Sequence, residues 1–234
     1  DIMSKVFPEY AGKLKAITNG IYLERWMNKD LYQLRNSGEL NVDKLVDVKT
    51  RAKRELEDFL NKYKDGLEIG DRMIIAWNRR IVRYKRPYFI ARFIEENPNP
   101  DVIYVLAGKP HPMDNDGINY TKWFRKLHLK FKNVVFINDY DIDIAKKIFQ
   151  ASDLLLFTPF SGWEACGTSY MKSLVNGTPV LASRDGGVLE IVEDSVNGWL
   201  FGNDLRDFIN IYTDKRAEEI DSAEYVEFSS KLKN

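Results

Sequence analysis

From Met73 onward, short apolar runs alternate with amphipathic stretches, and that alternation leaves the chain few folds to choose from. The runs Met73 to Trp77, Val102 to Ala107, Val134 to Ile137, Leu154 to Thr158 and Val180 to Ala182 read as strands. Between them, Pro87 to Glu96, Tyr120 to Lys130, Ile142 to Gln150 and about Gly167 to Asn176 read as helices. A β-α-β-α order with nearly continuous apolar strands is the pattern of a parallel sheet covered on both faces. The expected fold class is therefore α/β, a Rossmann-like doubly wound parallel sheet. Turn signals fall where that fold needs them, at Asn97-Pro98-Asn99-Pro100, Asn176-Gly177-Thr178-Pro179 and Asp185-Gly186-Gly187. Ligands of such sheets bind beyond the carboxyl ends of the strands, near the point where strand order reverses.

The segment before the first strand reads as mostly helical. Its clearest piece is Val42 to Tyr63, where Leu45, Val46, Val48, Ala52, Leu56, Phe59 and Leu60 recur near helical spacing. With 234 residues and 44% hydrophobic content, the chain can build one large core without staples. Its 35 Lys and Arg balance 35 Asp and Glu, so no net field draws it to nucleic acid or an anionic membrane. No apolar run approaches the roughly 20 residues of a membrane helix. A single cysteine, Cys166, excludes an internal disulfide and fits a reducing compartment, the cytoplasm by default. The start at Asp1 without a Met leads us to expect a piece of a longer protein.

Two loops draw attention. After the first strand, Arg79, Arg80, Arg83, Lys85 and Arg86 crowd before a helix that begins at Pro87. Cations at a helix N-terminus are unfavourable unless an anion lies between them, so a bound phosphate is expected there; the alternative is a solvated basic loop. After the fourth run comes Glu164-Ala165-Cys166-Gly167-Thr168-Ser169-Tyr170-Met171-Lys172. Gly167 would let the backbone approach a ligand, and Thr168 and Ser169 could bind phosphate oxygens where the helix opens. Lys172 lies one turn inside on the same face as Thr168, and a lysine beside a phosphate site is the arrangement that holds pyridoxal phosphate. An ordinary helix cap with a surface lysine reads the same way locally.

This nine-residue segment resembles the pattern Glu-Ala-Ser-Gly-Thr-x-x-Met-Lys of the α-glucan phosphorylases, whose lysine carries pyridoxal 5'-phosphate. Thr18-Asn19-Gly20-Ile21 with Trp26, Arg80 with Tyr84-Lys85-Arg86, Gly108-Lys109-Pro110-His111-Pro112, and Asp185-Gly186 leading to Glu190 follow in the family's order, so the resemblance spans roughly residues 16–203. It implies the C-terminal half of a GT-B glycosyltransferase from a short, divergent member. The expected organisation is a helical interdomain cover over 1–70, a cofactor- and phosphate-binding domain over 71–203 and a helical tail over 204–234.

By the same resemblance, Lys172 carries the cofactor, with Trp26, Arg79, Tyr140, Gly167 and Thr168 binding its ring or phosphate. Arg80 and Lys85 clamp the substrate phosphate, and Asn19, Glu164, Ala165, Cys166 and Gly167 line the glucosyl site. The implied reaction moves a glucosyl unit from α-glucan to inorganic phosphate, giving glucose 1-phosphate with retention. It needs a missing N-terminal domain and no metal; oligomerisation stays open.

The sequence departs from the family at Cys166 in place of serine, Val82 where histidine is common, bulky Tyr170, and Asp141 where a basic residue often follows Tyr140, so cofactor affinity or substrate range would differ. Two rival readings remain. One is a retaining nucleotide-sugar transferase, which the stretch Gly186-Gly187-Val188-Leu189-Glu190-Ile191 also resembles, although such enzymes place a glutamate where Lys172 stands. The other is a non-catalytic carbohydrate-binding module using Trp123, Trp163 or Trp199.

Overall fold

The computed structural model describes every residue except Asp1, Ile2, Ser4, Lys5, Ala16 and Arg206. The parts of the expected helical cover and helical tail that fall on those six lie outside the described residues. Among the described residues, no helix is long and apolar enough to cross a membrane.

The sheet has the strands β1 (Met73–Asn78), β2 (Val102–Ala107), β3 (Val134–Ile137), β4 (Leu154–Phe157), β5 (Val180–Ser183) and β6 (Gly198–Phe201). All pair in parallel, in the order β3-β2-β1-β4-β5-β6. Ile75 of β1 sits opposite Tyr104 of β2 on one side and Leu154 of β4 on the other. Successive side chains of a strand point to opposite faces, and here both faces are covered. Ile74, Ala76, Val105 and Phe157 enter one core, with Leu56 and Ile148 from helices, while Ile75, Trp77, Leu106 and Leu156 enter the other, with Phe89, Phe124 and Phe228. That is why the strands read as unbroken apolar runs.

Strand β6 is not among the strands expected from the sequence. Its glycine is required by close approach: a Cβ on Gly198 would stand 2.5 Å from the Val180 carbonyl oxygen of β5.

Helices α1 (Leu23–Trp26), α2 (Lys29–Asn36) and α3 (Val42–Leu60) precede the sheet. Asn41 caps α3 by accepting a hydrogen bond from the Lys44 N–H at 2.9 Å. The buried stripe of α3 is Val48, Ala52, Leu56 and Leu60, one residue per turn; Val46, counted with the apolar set from sequence, is 55% exposed.

The remaining helices are α4 (Pro87–Glu96), α5 (Asn115–Lys130), α6 (Ile142–Ala151), α7 (Ser169–Leu174) and α8 (Arg216–Lys233). Helix α5 starts earlier than its apolar pattern indicates, because Asp114 caps it through the Gly117 N–H at 3.0 Å. Helix α7 is shorter than expected, since Gly167 and Thr168 still belong to the loop before it.

Strand order reverses between β1 and β4: the chain moves outward from β1 to β3 on one side and from β4 to β6 on the other. The loops after β1 and β4 therefore leave the sheet side by side.

Candidate active site

The loop after β1 begins with Arg79, whose N–H bonds to the Ala107 carbonyl at 3.0 Å and so extends the strand pairing by one residue. The neighbouring strand can pass this close only through Gly108, where a Cβ would lie 2.0 Å from the Arg79 carbonyl oxygen. The Arg79 guanidinium is buried, lies 4.1 Å from the Phe157 ring centre and donates to Glu164 Oε2 at 2.7 Å. Lys85 Nζ reaches the same oxygen at 3.0 Å, and the Tyr84 hydroxyl stands 3.5 Å from it. Two cations and a phenol thus converge on one carboxylate oxygen.

Burial and the adjacent Arg79 charge push the Lys85 amine down to about 8, while Glu164 pulls it upward. Arg79 Nε and Nη1, and Asn78 Oδ1, are buried without a hydrogen-bond partner among the described residues. Unmatched buried donors of this kind are costly unless something satisfies them.

The five cations of this loop do different things. Arg86 is fully buried in a left-handed backbone conformation with φ of 49°. Its guanidinium donates to the carbonyls of Thr158 and Pro159 at 2.9 Å each and pairs with Glu224 at 2.6 Å. It fastens the loops after β1 and β4 to α8. Arg80 is exposed and lines a neighbouring groove with Lys109, His111 and Tyr140, outside the pocket that Arg79 and Lys85 face.

The loop after β4 is held by the loop after β5. Asp185 accepts hydrogen bonds from the Gly162 and Glu164 N–H groups, both at 2.8 Å. Burial pushes its carboxyl up to about 6, against the pull of those two donors. A Cβ on Gly186 would lie 2.1 Å from the Glu164 carbonyl oxygen, so the contact demands glycine. Asp185 is a positioning residue that the Asp-Gly-Gly turn signal marks only as a turn. Gly167 proves to be set by packing as well: a Cβ there would meet the Phe157 ring at 2.7 Å. Asn19 joins from the N-terminal segment, its side-chain amide donating to the Cys166 carbonyl at 2.7 Å.

Lys172 projects from α7, with its amine 3.9 Å from the Trp26 ring centre. Burial, with a contribution from Arg25, lowers its pKa. The register between this helix and the Trp26 segment is fixed by fully buried Asn176. Its amide donates to the carbonyls of Lys172 (2.8 Å) and Trp26 (2.9 Å) and accepts from the Asn28 N–H (2.8 Å). In the sequence Asn176 shows only as part of a turn.

These elements enclose a pocket of about 340 Å³ at the reversal point of the sheet. Of the residues singled out from sequence, Asn19, Trp26, Arg79, Lys85, Tyr140, Glu164, Cys166, Gly167, Thr168 and Lys172 line it, while Arg80 and Ala165 do not. Asn78, Ser169, Ala145 and Phe149 complete the wall. Tyr140 is tied to Asn78, whose amide donates to the phenol at 3.2 Å. Asp141 accepts from the Ile144 N–H at 2.8 Å and so caps α6, which gives that departure a structural role.

Residues 126–234 match the family described as carbohydrate phosphorylase. The chain is 28% identical over 246 residues to a glycogen phosphorylase of Aquifex aeolicus, an alignment covering 86% of this chain and 35% of that protein. It is 27% identical over 231 residues to a maltodextrin phosphorylase of Thermococcus litoralis, covering 82% of this chain and 28% of that one. An uncharacterized protein of Methanocaldococcus jannaschii is 27% identical over 178 residues, covering 74% and 34%. The chain thus spans about a third of the length of the curated relatives it matches.

Proposed function

We propose that the chain is the phosphate- and cofactor-binding part of an α-1,4-glucan phosphorylase, a reading supported by the match of residues 126–234 to the carbohydrate phosphorylase family and by the likeness to glycogen and maltodextrin phosphorylases. The reaction transfers a glucosyl unit from α-glucan to inorganic phosphate and yields glucose 1-phosphate with retained configuration. The observation that carries this reading is the meeting of Lys172 with the Arg79–Glu164–Lys85 cluster in one pocket.

The pocket suits pyridoxal 5'-phosphate on three counts. Its volume is in the range of small-ligand sites. Among the described residues, two buried guanidinium nitrogens of Arg79, Nε and Nη1, have no partner, and an anion would satisfy them. Lys172 offers a half-buried amine of lowered basicity beside an aromatic face. The chemistry that pyridoxal phosphate supplies when bound is a phosphate able to exchange a proton with a substrate phosphate.

In this reading Lys172 provides the attachment point, Trp26 and Tyr140 flank the ring, and Arg79, Gly167 and Thr168 receive the cofactor's phosphate. Lys85 binds the substrate phosphate, with Arg80 reaching in from the adjoining groove. Two phosphates brought together repel each other, and preorganised cations offset that repulsion. Glu164 takes its contacts from Arg79, Lys85 and Tyr84 on Oε2, which leaves Oε1 to accept sugar hydroxyls. Asn19, Cys166 and Gly167 complete the glucosyl site, and Ala165 stands outside the pocket lining. The rest of the active site comes from a further domain equivalent to what the longer relatives carry. Cys166 as the chain's one cysteine fits a cytoplasmic location.

The test is to incubate the chain with pyridoxal phosphate, reduce with borohydride and locate the pyridoxyl group by tandem mass spectrometry. Selective label at Lys172, lost in Lys172→Ala, is the expected result. Label scattered over surface lysines with none selective for Lys172 would overturn the reading.

A further inference from the structure

An aromatic row at the carboxyl edge of the sheet touches the pocket described above only through Tyr84. Trp163 stacks between Tyr84 and Phe208, with ring centres 5.9 and 5.3 Å apart and planes tilted by 25° and 30°. Tyr212 meets the same indole edge-on at 5.8 Å. Three loops supply these rings: Tyr84 follows β1, Trp163 follows β4, and Phe208 and Tyr212 follow β6.

The row is fixed in place. The Trp163 indole N–H donates to the Ile209 carbonyl at 2.8 Å, and the Arg83 guanidinium lies 5.1 Å from the Tyr212 ring centre. Yet the outer members, Phe208 and Tyr212, are 49% and 56% exposed. Aromatic area held rigid in water is surface that gains by being covered. The inner end is Tyr84, whose hydroxyl stands 3.5 Å from Glu164, so the row is continuous with the pocket wall. Along its flank Arg83 is paired with Asp116 at 3.9 Å and Asp114 lies near Tyr212, so the rim offers hydrogen-bonding groups of both signs.

A pyranose ring has the complementary surface: an apolar C–H face to lie on an aromatic ring, and an edge of hydroxyls to bond polar neighbours. We infer that Phe208 and Tyr212 form a stacking face for the sugar rings of an α-glucan, leading outward from the unit received at Glu164. This rests on the phosphorylase reading of the pocket. A rim that carries both carboxylates and a guanidinium favours a neutral, hydroxyl-rich ligand over an ion of either sign, and the short row suits a narrow chain.

The experiment titrates the chain with maltoheptaose, following indole fluorescence, for the wild type, Phe208→Ala, Tyr212→Ala and Tyr212→Phe. Each alanine variant is expected to weaken binding by about tenfold, while Tyr212→Phe, which keeps the ring, stays within about twofold of the wild type. Unchanged affinity in both alanine variants overturns the proposal. Saturation-transfer NMR on the wild-type chain needs no variant: transfer from aromatic protons to sugar C–H protons supports the stacking face, and its absence overturns it. A dimer in sedimentation that Phe208→Asp breaks, with no maltoheptaose bound, assigns the face to a second copy and also overturns it.

Labelling of Lys172 by pyridoxal phosphate is read separately. If the label is present while both alanine variants bind like the wild type, only the stacking face falls. If the label is absent while they lose affinity, the aromatic face still binds glucan, but the phosphorylase reading falls and with it the link to a glucosyl unit at Glu164.

Discussion

Lys85 is held where its charge is expensive. Burial and Arg79 disfavour its ammonium, and with an amine pushed from 10.5 down to about 8 the charged form costs on the order of 3 kcal/mol of folding stability. Between about 8 and 10.5 the unfolded chain holds more protons than the folded one, so this cost shrinks as pH rises through that window. An incoming anion reverses the balance by favouring the charged form. Phosphate binding measured by calorimetry is therefore expected to weaken as pH rises through about 8, where Lys85 loses its proton. Lys85→Arg, which keeps its charge, is expected to bind phosphate with little change over that range. A wild-type affinity flat between pH 7 and 10 would contradict this assignment. Asp185 works by the opposite logic of placement: it lies outside the pocket lining, and its two hydrogen bonds to backbone N–H groups set where Glu164 stands.

Among the elements, the least evident connection is the one that Arg86 makes between two loops and α8. Its buried partner Glu224 is also bonded by the Asn203 N–H at 3.2 Å. Removing one member of a buried pair leaves the other uncompensated. Arg86→Ala is expected to lose about 3–5 kcal/mol in urea unfolding. The double variant Arg86→Met with Glu224→Gln leaves no bare charge at position 224 and unpairs only the partly exposed Asp221, 3.2 Å from Arg86, so it is expected to recover part of that loss. A cost near zero for the single change would mean that α8 is held by its apolar face alone, through Tyr225 and Phe228. Helix α7 shows the same dependence on neighbours: it is only six residues long, and the Asn176 bridge, more than its own length, fixes where Lys172 points.

For the whole molecule, two full cores on either side of one sheet give the chain the means to fold by itself. Its pocket lies at one edge of that sheet, and the proposed reaction draws residues from a further domain. The 234-residue chain is therefore expected to bind pyridoxal phosphate yet to release no glucose 1-phosphate from maltodextrin and phosphate. A coupled assay checks this, and turnover by the chain alone would show that these residues suffice.

Much of this architecture is legible in the sequence. The strand runs, the helix starting at Pro87 and the cluster ending in Lys172 all follow from local patterns, because burial on both faces of a sheet writes itself into consecutive residues. Strand β6 escapes because four residues led by a glycine carry no period, and the glycine answers to a carbonyl in another strand. The sequence by itself determined the α/β class and the residue types gathered near the reversal of strand order. Only the tertiary structure decided which cation does what. Arg79 meets Glu164 across 85 positions, Arg86 meets Glu224 across 138, and Trp26 is tied to Asn176 across 150. Such pairings depend on the order of strands in space and on how the helices cover them, and no local pattern encodes that order.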